Sequence, residues 1–162
     1  MRSIKKKILI GLSILLVTIL TSAVCLALNG SIMDKKEKPS DYHIGVNYEA
    51  AMEVEKPALV LFYADWCGYC LKFMPKFQTI NSIYKDKFSI VMLNVEDPQY
   101  KKVVDDIALT GFPTLYIIDS KYDNRVLLNN ALYLDLKRLR GELDRYLNIR
   151  KRLDDCDKCT EK

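Results

Sequence analysis

Short apolar runs alternate with longer amphipathic segments along most of this chain. Three nearly unbroken apolar runs are Ala58 to Ala64, Phe88 to Val95 and Thr114 to Asp119. Such runs predict strands that are covered on both faces, because a strand with one wet face alternates apolar and polar residues. A fourth run, Arg125 to Leu128, follows the turn-forming segment Asp119 to Asn124, so these two segments predict a β-hairpin.

Hydrophobic residues recur at helical spacing between and after these runs. The three stripes are Cys70, Phe73, Phe77, Ile80 and Tyr84; Tyr100, Val103, Val104 and Ile107; and Leu132, Leu136, Leu139, Leu143 and Leu147. A stripe at this spacing predicts a helix with one face against a core. The order strand, helix, strand, helix, strand, strand, helix predicts an α/β domain with helices on both sides of a sheet.

The first 30 residues have a different pattern. No residue from Ile8 to Leu28 is charged, and the four residues that carry charge before this segment, between Arg2 and Lys7, are all basic. At about 1.5 Å per residue the segment is long enough to cross a hydrocarbon core of about 30 Å, whereas a signal-peptide core has about 7–15 residues. We therefore expect residues 1–30 to be a cytoplasmic basic flank and a single-pass membrane anchor, with a cleaved signal peptide and secretion as the alternative.

The net charge of the chain comes from this same end. The formal charge of +4 reflects 25 Lys and Arg against 21 Asp and Glu, and the basic flank accounts for the whole excess. The remainder is neutral, which removes the electrostatic support for nucleic-acid binding. The basic flank predicts that everything after the span lies outside the cytoplasm, in the periplasm if the cell is Gram-negative. Residues 31–41 are polar and predict a linker, 42–153 contain the predicted domain, and 154–162 form a polar tail.

The segment that carries chemistry is Ala64-Asp65-Trp66-Cys67-Gly68-Tyr69-Cys70, between the first predicted strand and the first long predicted helix. The start of a helix has unpaired N–H groups and a partial positive charge, which stabilise a thiolate on Cys67. A thiolate is the nucleophile of disulfide exchange, and Cys70, one turn further on, can resolve the mixed disulfide. The alternatives for two cysteines at this spacing are a structural disulfide and half of a zinc site.

This segment resembles the active site of the thioredoxin family, in which Trp precedes Cys-Gly-x-Cys after a strand. Pro75 lies where the family has a helix-kinking proline, and Gly111-Phe112-Pro113-Thr114 resembles its cis-proline loop. The resemblance covers residues 42–153. It implies the thioredoxin fold, an α/β fold with a central mixed sheet flanked by helices, which here follows the N-terminal transmembrane helix.

The resemblance also implies roles for individual residues. Cys67 and Cys70 would be catalytic. Residues expected to bind substrate or support the active site are Trp66, Gly68, Tyr69, Phe112 and Pro113. The chain departs from the family at Leu61, where thioredoxin has a buried Asp that moves a proton to and from the second cysteine. Asp65 is expected to be exposed and to replace that Asp only in part, and Tyr69 replaces the proline of the reducing motif.

We therefore expect an enzyme, a thiol–disulfide oxidoreductase that reduces protein disulfides outside the cytoplasm without a cofactor. Its expected partners are protein thiols and disulfides and a membrane-bound protein that recharges the cysteine pair, with no nucleic acid. The chain itself would be held in the cell membrane by Ile8 to Leu28. The alternatives are a disulfide oxidase or isomerase that uses the same cysteines, and a non-catalytic interaction module with the same fold.

Cys156 and Cys159 form a second Cys-x-x-Cys pair near the C-terminus. We expect a local disulfide there, or else a second redox pair that exchanges electrons with Cys67 and Cys70. A four-cysteine zinc site is disfavoured because the interval between the pairs is far longer than in zinc ribbons, so no metal is expected. His43 is the only histidine, and without a partner motif we expect it at the surface.

Overall fold

The computed structural model describes residues 15–18, 37–107 and 109–160, and the chain divides into two compact units after Lys36. In the first unit only the helical, exposed residues 15–18 are described, and the Thr18 hydroxyl donates to the Leu15 carbonyl at 2.8 Å. The rest of the predicted span, the basic flank and most of the predicted linker lie outside the described residues. Within the described ranges, no helix is both long enough and apolar enough to cross a membrane.

The second unit is built on one mixed sheet. Its four strands are β1 (Ala58–Tyr63), β2 (Ser89–Asn94), β3 (Thr114–Asp119) and β4 (Asn124–Leu128). The spatial order is β2-β1-β3-β4, with β1 parallel to β2 and antiparallel to β3, and β3 antiparallel to β4. All four predicted strands are confirmed. The turn between β3 and β4 contains a 3₁₀ turn at Ser120–Tyr122 followed by Asp123 with a φ of 44°.

The helices of this unit are α1 (Tyr48–Met52), α2 (Gly68–Tyr84), α3 (Lys101–Ile107), α4 (Ala131–Leu134) and α5 (Leu136–Thr160), with 3₁₀ turns at Pro39–Tyr42 and Pro98–Tyr100. The sequence pattern did not predict α1. The last leucine stripe is divided between α4 and α5, because Asp135 has an extended backbone and its carboxylate accepts from the Lys137 N–H at 2.9 Å. Helix α5 continues without a break through 154–160, where we expected a polar tail.

Two apolar layers cover the two faces of the sheet. Leu59 and Leu61 of β1 pack in one cluster with residues of α2 and α5. Val60 and Phe62 belong to the other, against which α1 and α3 pack. Every residue of β1 is buried, as its nearly unbroken apolar run predicted. The fold is therefore an α/β sheet with helices on both faces.

The sheet topology brings two loops together at one end. The chain leaves β1 at Tyr63 and enters α2 at Gly68, while β3 begins at Thr114. Because β1 and β3 are antiparallel, with Phe62 paired to Thr114, the Cys67 loop and the Phe112-Pro113 loop meet at the same end of the sheet. The end of β3, at Asp119, lies at the opposite end.

Candidate active site

Cys67 caps the N-terminus of α2. Its Sγ accepts a hydrogen bond from the backbone N–H of Cys70 at 3.1 Å, and its own N–H donates to the carbonyl of Ala64 at 3.1 Å. Cys67 is 5% exposed and Cys70 is completely buried. The two sulfur-bearing residues thus occupy the first turn of a helix, where the unpaired N–H groups and the helix dipole favour a negative charge on the outer sulfur.

The surroundings of Cys70 disfavour its ionisation. Burial raises the pKa of the Cys70 thiol well above its usual value, and the hydrogen bond with Cys67 acts in the same direction. Leu61, at the position where the family resemblance would place a carboxylate, is completely buried in the apolar cluster between the sheet and α2. Cys70 is therefore held as a neutral thiol, and no carboxylate contributes to its pKa.

Asp65 is half-buried and its carboxylate is hydrogen-bonded, whereas we expected it to be exposed. Its carboxylate accepts from the backbone N–H of Ser40 at 3.2 Å and from the Ser40 hydroxyl at 3.0 Å. These bonds fasten the 3₁₀ turn at Pro39–Tyr42 to the loop that precedes Cys67. The carboxylate is thus occupied with the N-terminal turn of the domain.

The second loop of the site carries a cis peptide bond between Phe112 and Pro113, as the resemblance implied. The hydroxyl of Thr114 donates to the Gly111 carbonyl at 2.7 Å and closes the loop. Phe112 packs against the cluster that contains Cys67 and Cys70. This contact brings the proline loop directly to the cysteine pair.

Two exposed aromatic side chains flank Cys67. Trp66 is 69% exposed and Tyr69 is 76% exposed. The Trp66 ring meets the Phe112 ring edge-on, with centroids 6.1 Å apart, and its Nε1 donates to the carboxylate of Glu96 at 3.1 Å. Gly68 is the first residue of α2, and a Cβ there would meet nothing within 4 Å.

A groove of about 370 Å³ lies beside the cysteine pair. Its lining includes Tyr69, Lys72, Lys76, Phe112, Pro113 and Tyr133. The groove is bordered on one side by α2 and on the other by the chain that follows β4. It lies next to Tyr69 and the cis-proline loop.

The thioredoxin family model matches residues 42–131 of this chain. The chain belongs to the thioredoxin family. It is 39% identical over 72 residues to the thioredoxin-like protein HCF164, chloroplastic, of Arabidopsis thaliana, a match that covers 44% of this chain and 28% of the relative. It is 33% identical over 69 residues to a probable protein disulfide-isomerase A6 of Medicago sativa, covering 43% of this chain and 19% of the relative. The chain thus spans less than a third of the length of these curated relatives.

Solved structures support the thioredoxin fold. The Trx4 domain of ERdj5 superimposes with a TM-score of 0.51 at 20% identity, over 64% of this chain and 94% of that chain. The thioredoxin of Malassezia sympodialis gives a TM-score of 0.51 at 19% identity, over 62% of this chain and 86% of that one. The predicted fold, a central mixed sheet flanked by helices, is confirmed for the described domain.

The structure brings most of the predicted thioredoxin-like site residues together. Cys67 caps α2, and Gly68 and Cys70 are on its first turn, with Trp66 and Tyr69 at the surface. Phe112 packs against the cysteine pair, and Pro113 lines the adjacent groove. Pro75 lies inside α2, where it has no N–H to donate. Ser40 and Glu96 were missed by sequence reasoning, because each meets the active-site loop across a long stretch of chain and neither lies in a local motif.

The second cysteine pair lies elsewhere. Cys156 is exposed on α5, and the neighbouring Asp157 accepts from the hydroxyl of Tyr122 at 3.2 Å, beyond the end of β3. The six residues of β3, at about 3.3 Å each, separate this end of the sheet from the Cys67 end by roughly 17–20 Å. Cys156 therefore lies away from Cys67 and Cys70 in this domain.

His43 is exposed, as expected for a surface residue. It has a φ of 46° and ends the 3₁₀ turn at Pro39–Tyr42. In the described part of the chain, no group of three or more His, Cys, Asp or Glu side chains is arranged to hold a metal ion.

Proposed function

We propose that this protein is a thiol–disulfide oxidoreductase in which Cys67 is the nucleophile and Cys70 is the resolving cysteine. The observation that carries the proposal is the Cys67 sulfur at the start of α2, 3.1 Å from the Cys70 N–H and in contact with the cis-proline loop. Membership of the thioredoxin family, and relatives named protein disulfide-isomerase, support this chemistry.

Reduction of a substrate disulfide takes two exchange steps. The Cys67 thiolate attacks one sulfur of a substrate disulfide, which forms a mixed disulfide and releases the other substrate sulfur as a thiolate. Cys70 then loses its proton and attacks the Cys67 sulfur, so the second substrate sulfur leaves as a thiolate. Two electrons have passed to the substrate, and a dithiol partner must reduce the Cys67–Cys70 disulfide for the next cycle.

Loss of the Cys70 proton is expected to limit the rate at which the mixed disulfide is resolved. The thiol has a raised pKa, Leu61 offers no base, and the carboxylate of Asp65 is bound to Ser40. Solvent that enters when the mixed disulfide opens the pair is then the proton acceptor. Resolution should be slower here than in a family member with a carboxylate under the pair.

The proposal extends to substrate contacts and location. An extended substrate segment would lie along the backbone of Phe112 and Pro113, with Trp66, Gly68 and Tyr69 around the reacting sulfur. The uncharged segment from Ile8 to Leu28 supports a membrane anchor with the domain outside the cytoplasm. A membrane-bound dithiol protein would then recharge the pair.

Turnover of insulin disulfides tests the activity. We expect the full-length chain with a chemical reductant to reduce insulin, and Cys67→Ser to abolish turnover while leaving the fold intact. Cys156→Ser is the matched control, since that residue lies at the other end of the sheet, and it should retain full turnover. Wild type without turnover in either the reductive or the oxidative direction would favour a non-catalytic module.

The direction of electron flow needs its own measurement. An oxidase or isomerase would use the same two cysteines and would restore activity to scrambled ribonuclease faster than it reduces insulin. Cys70→Ser should trap the client as a mixed disulfide on Cys67. The resting redox state of the wild-type Cys67–Cys70 pair in the cell then shows the direction, because a reductase is kept as the dithiol and an oxidase is kept as the disulfide.

A further inference from the structure

Opposite charges flank the two sides of the active site. On one side Glu96, just after β2, accepts the hydrogen bond from Trp66 at 3.1 Å. On the other side Lys72 and Lys76 line the groove together with Tyr133, which follows β4. Glu96 follows the outer strand β2, whereas the two lysines are on α2 and share the groove with Tyr133, which follows the other outer strand, β4.

The two lysines occupy one face of α2, four residues apart. The exposed Lys72 has its ammonium 5.7 Å from the centroid of the Tyr69 ring, and within the described domain no carboxylate lies at ion-pair distance from it. The half-buried Lys76 donates to the backbone carbonyl of Tyr133 at 3.1 Å, which fixes its position in the groove. The groove therefore has positive charge at two places along α2.

The rest of the groove lining is mainly apolar or aromatic and carries no acidic group. Besides the two lysines it consists of Tyr69, Phe73, Phe112, Pro113, Tyr133 and the neutral polar Asn130. An apolar channel edged by two ammonium groups complements a chain segment that has an apolar residue followed by a carboxylate. A basic segment would meet like charges on this side.

We propose that Lys72 and Lys76 make the groove selective for disulfides whose neighbouring polypeptide segment is acidic. This inference rests on the proposed function and adds the substrate class to it. The acidic side chains lie toward α2, and the part of the segment beyond the reacting cysteine lies toward Trp66 and Glu96. The charge pattern thus also sets the direction in which the substrate lies across Cys67.

The size of the effect is that of ion pairs near the protein surface, since Lys72 is exposed and Lys76 is half-buried. Surface ion pairs change a rate constant by about 1.4- to 5-fold each, so two of them change it by roughly 2- to 30-fold. Such pairs weaken in salt, because the Debye length falls from about 10 Å at 0.1 M to about 3 Å at 1 M. We expect the selectivity to be about fivefold at low salt and to vanish at 1 M salt.

Three matched peptides test the proposal. Each contains one cysteine in a disulfide with a chromophoric thiol, and two flanking residues that are Glu, Gln or Lys. The reduced full-length chain should release the chromophore about fivefold faster from the Glu peptide than from the Gln peptide, and slowest from the Lys peptide. The Lys72→Glu variant should lose the preference for the Glu peptide over the Lys peptide, because one negative and one positive group then line the groove. A variant that keeps the wild-type preference would contradict the proposal.

Lys151→Glu is the control, because it changes the net charge equally on α5 at the opposite end of the sheet. It should keep the wild-type preference. If wild type reduces insulin but reacts with all three peptides at equal rates, the selectivity is refuted and the proposed function stands. If wild type reacts with neither the peptides nor insulin, the proposed function is refuted as well. If oxidised glutathione reacts faster than the Gln peptide but the Glu peptide does not, the groove binds a small anion and not an acidic polypeptide segment, which would also refute the proposal.

Discussion

The phenol oxygen of Tyr133 accepts a hydrogen bond from the backbone N–H of Leu115 at 2.7 Å. The same hydroxyl donates to the carbonyl of Leu128 at 3.1 Å, so it bridges the residue pair at the end of the β3–β4 ladder. Its ring packs on Phe73 of α2 with centroids 5.3 Å apart. Tyr133 therefore links α2, β3 and β4. Its partner Leu115 is two residues after Pro113, so the link lies close to the proline loop.

Tyr133→Phe should destabilise the domain and loosen the proline loop. The change leaves the buried N–H of Leu115 and the Leu128 carbonyl without this partner, and each such loss costs about 1–3 kcal/mol. Urea unfolding should show a lower midpoint with an unchanged slope, together with a slower reaction of Cys67 with peptide disulfides. Tyr116→Phe is the control, because its hydroxyl makes no hydrogen bond within the described domain. An equal loss of stability in both variants would contradict the bridging role.

Leu61→Asp should speed resolution and lower stability. A buried carboxylate without partners costs about 1–3 kcal/mol or more, while general-base assistance contributes about 10²–10⁴-fold to a rate. The pKa of Cys70 is raised, so the wild-type rate should increase with pH through neutrality as its thiolate becomes available. The variant's rate should level off once the carboxylate is ionised. Stopped-flow release of a peptide from the Cys67 mixed disulfide measures both profiles.

Leu61→Asn controls for polarity without a base and should resolve no faster than wild type. If a folded Leu61→Asp variant also resolves no faster at any pH, another group already accepts the Cys70 proton. Asp65 would then be the next residue to test.

Asp65→Asn should affect the N-terminal turn more than the chemistry. The carboxylate is bound to Ser40, so weakening these bonds should cost about 1 kcal/mol and increase hydrogen exchange in residues 39–46. Ser40→Ala should have a similar effect on exchange. Both variants should resolve the mixed disulfide within twofold of wild type. A loss of 10²-fold or more in Asp65→Asn alone would identify that carboxylate as the base.

Alkylation should distinguish the thiols of the reduced protein. Cys67 should react with iodoacetamide fastest, because its sulfur lies at the start of α2 and accepts from the Cys70 N–H. Cys70 should react slowly, because it is completely buried and its pKa is raised. Cys156 is exposed near the C-terminal end of α5, away from any helix N-terminus, and should react more slowly than Cys67. Mass spectrometry of timed digests gives the order, and labelling of Cys156 as fast as Cys67 would count against the nucleophile assignment.

Protease accessibility should reveal the topology of the chain. The basic flank before the uncharged segment from Ile8 to Leu28 predicts that residues 31–162 lie outside the cytoplasm. Protease added to intact spheroplasts should therefore remove the domain, while a cytoplasmic marker protein stays protected. Digestion of the domain only after lysis would place it inside the cell.

The sheet and the cysteine pair were predictable because their signals are local. A nearly unbroken apolar run predicted β1, and the position of Cys67 between that strand and a helical stripe predicted the start of α2. Helix α1 was missed because it has only five residues, although its N-cap, Asn47, accepts from the Ala50 N–H at 2.8 Å. The cis bond before Pro113 came from family resemblance, since most X–Pro bonds in folded proteins are trans.

The remaining features of the site depend on contacts between distant parts of the chain. Asp65 carries no local sign that Ser40 will bind it, and the pairing of Trp66 with Glu96 appears only when β1 and β2 are placed side by side. The bridging hydroxyl of Tyr133 depends likewise on the register of β3 against β4. Such contacts form only when the chain is folded, so no periodic pattern in the sequence predicts them.

The ion-pair cluster that holds α5 at the end of the sheet opposite Cys67 has a practical consequence. Arg150 of α5 forms a 2.7 Å ion pair with the completely buried Asp119 and also contacts Asp154 and the carbonyl of Glu55. This cluster holds the end of α5 against the strands at the end opposite Cys67. A biosensor coating or affinity resin coupled through the exposed side chain of Lys158 on α5 would therefore orient the reactive cysteine toward the solution, with the full length of the sheet as a spacer.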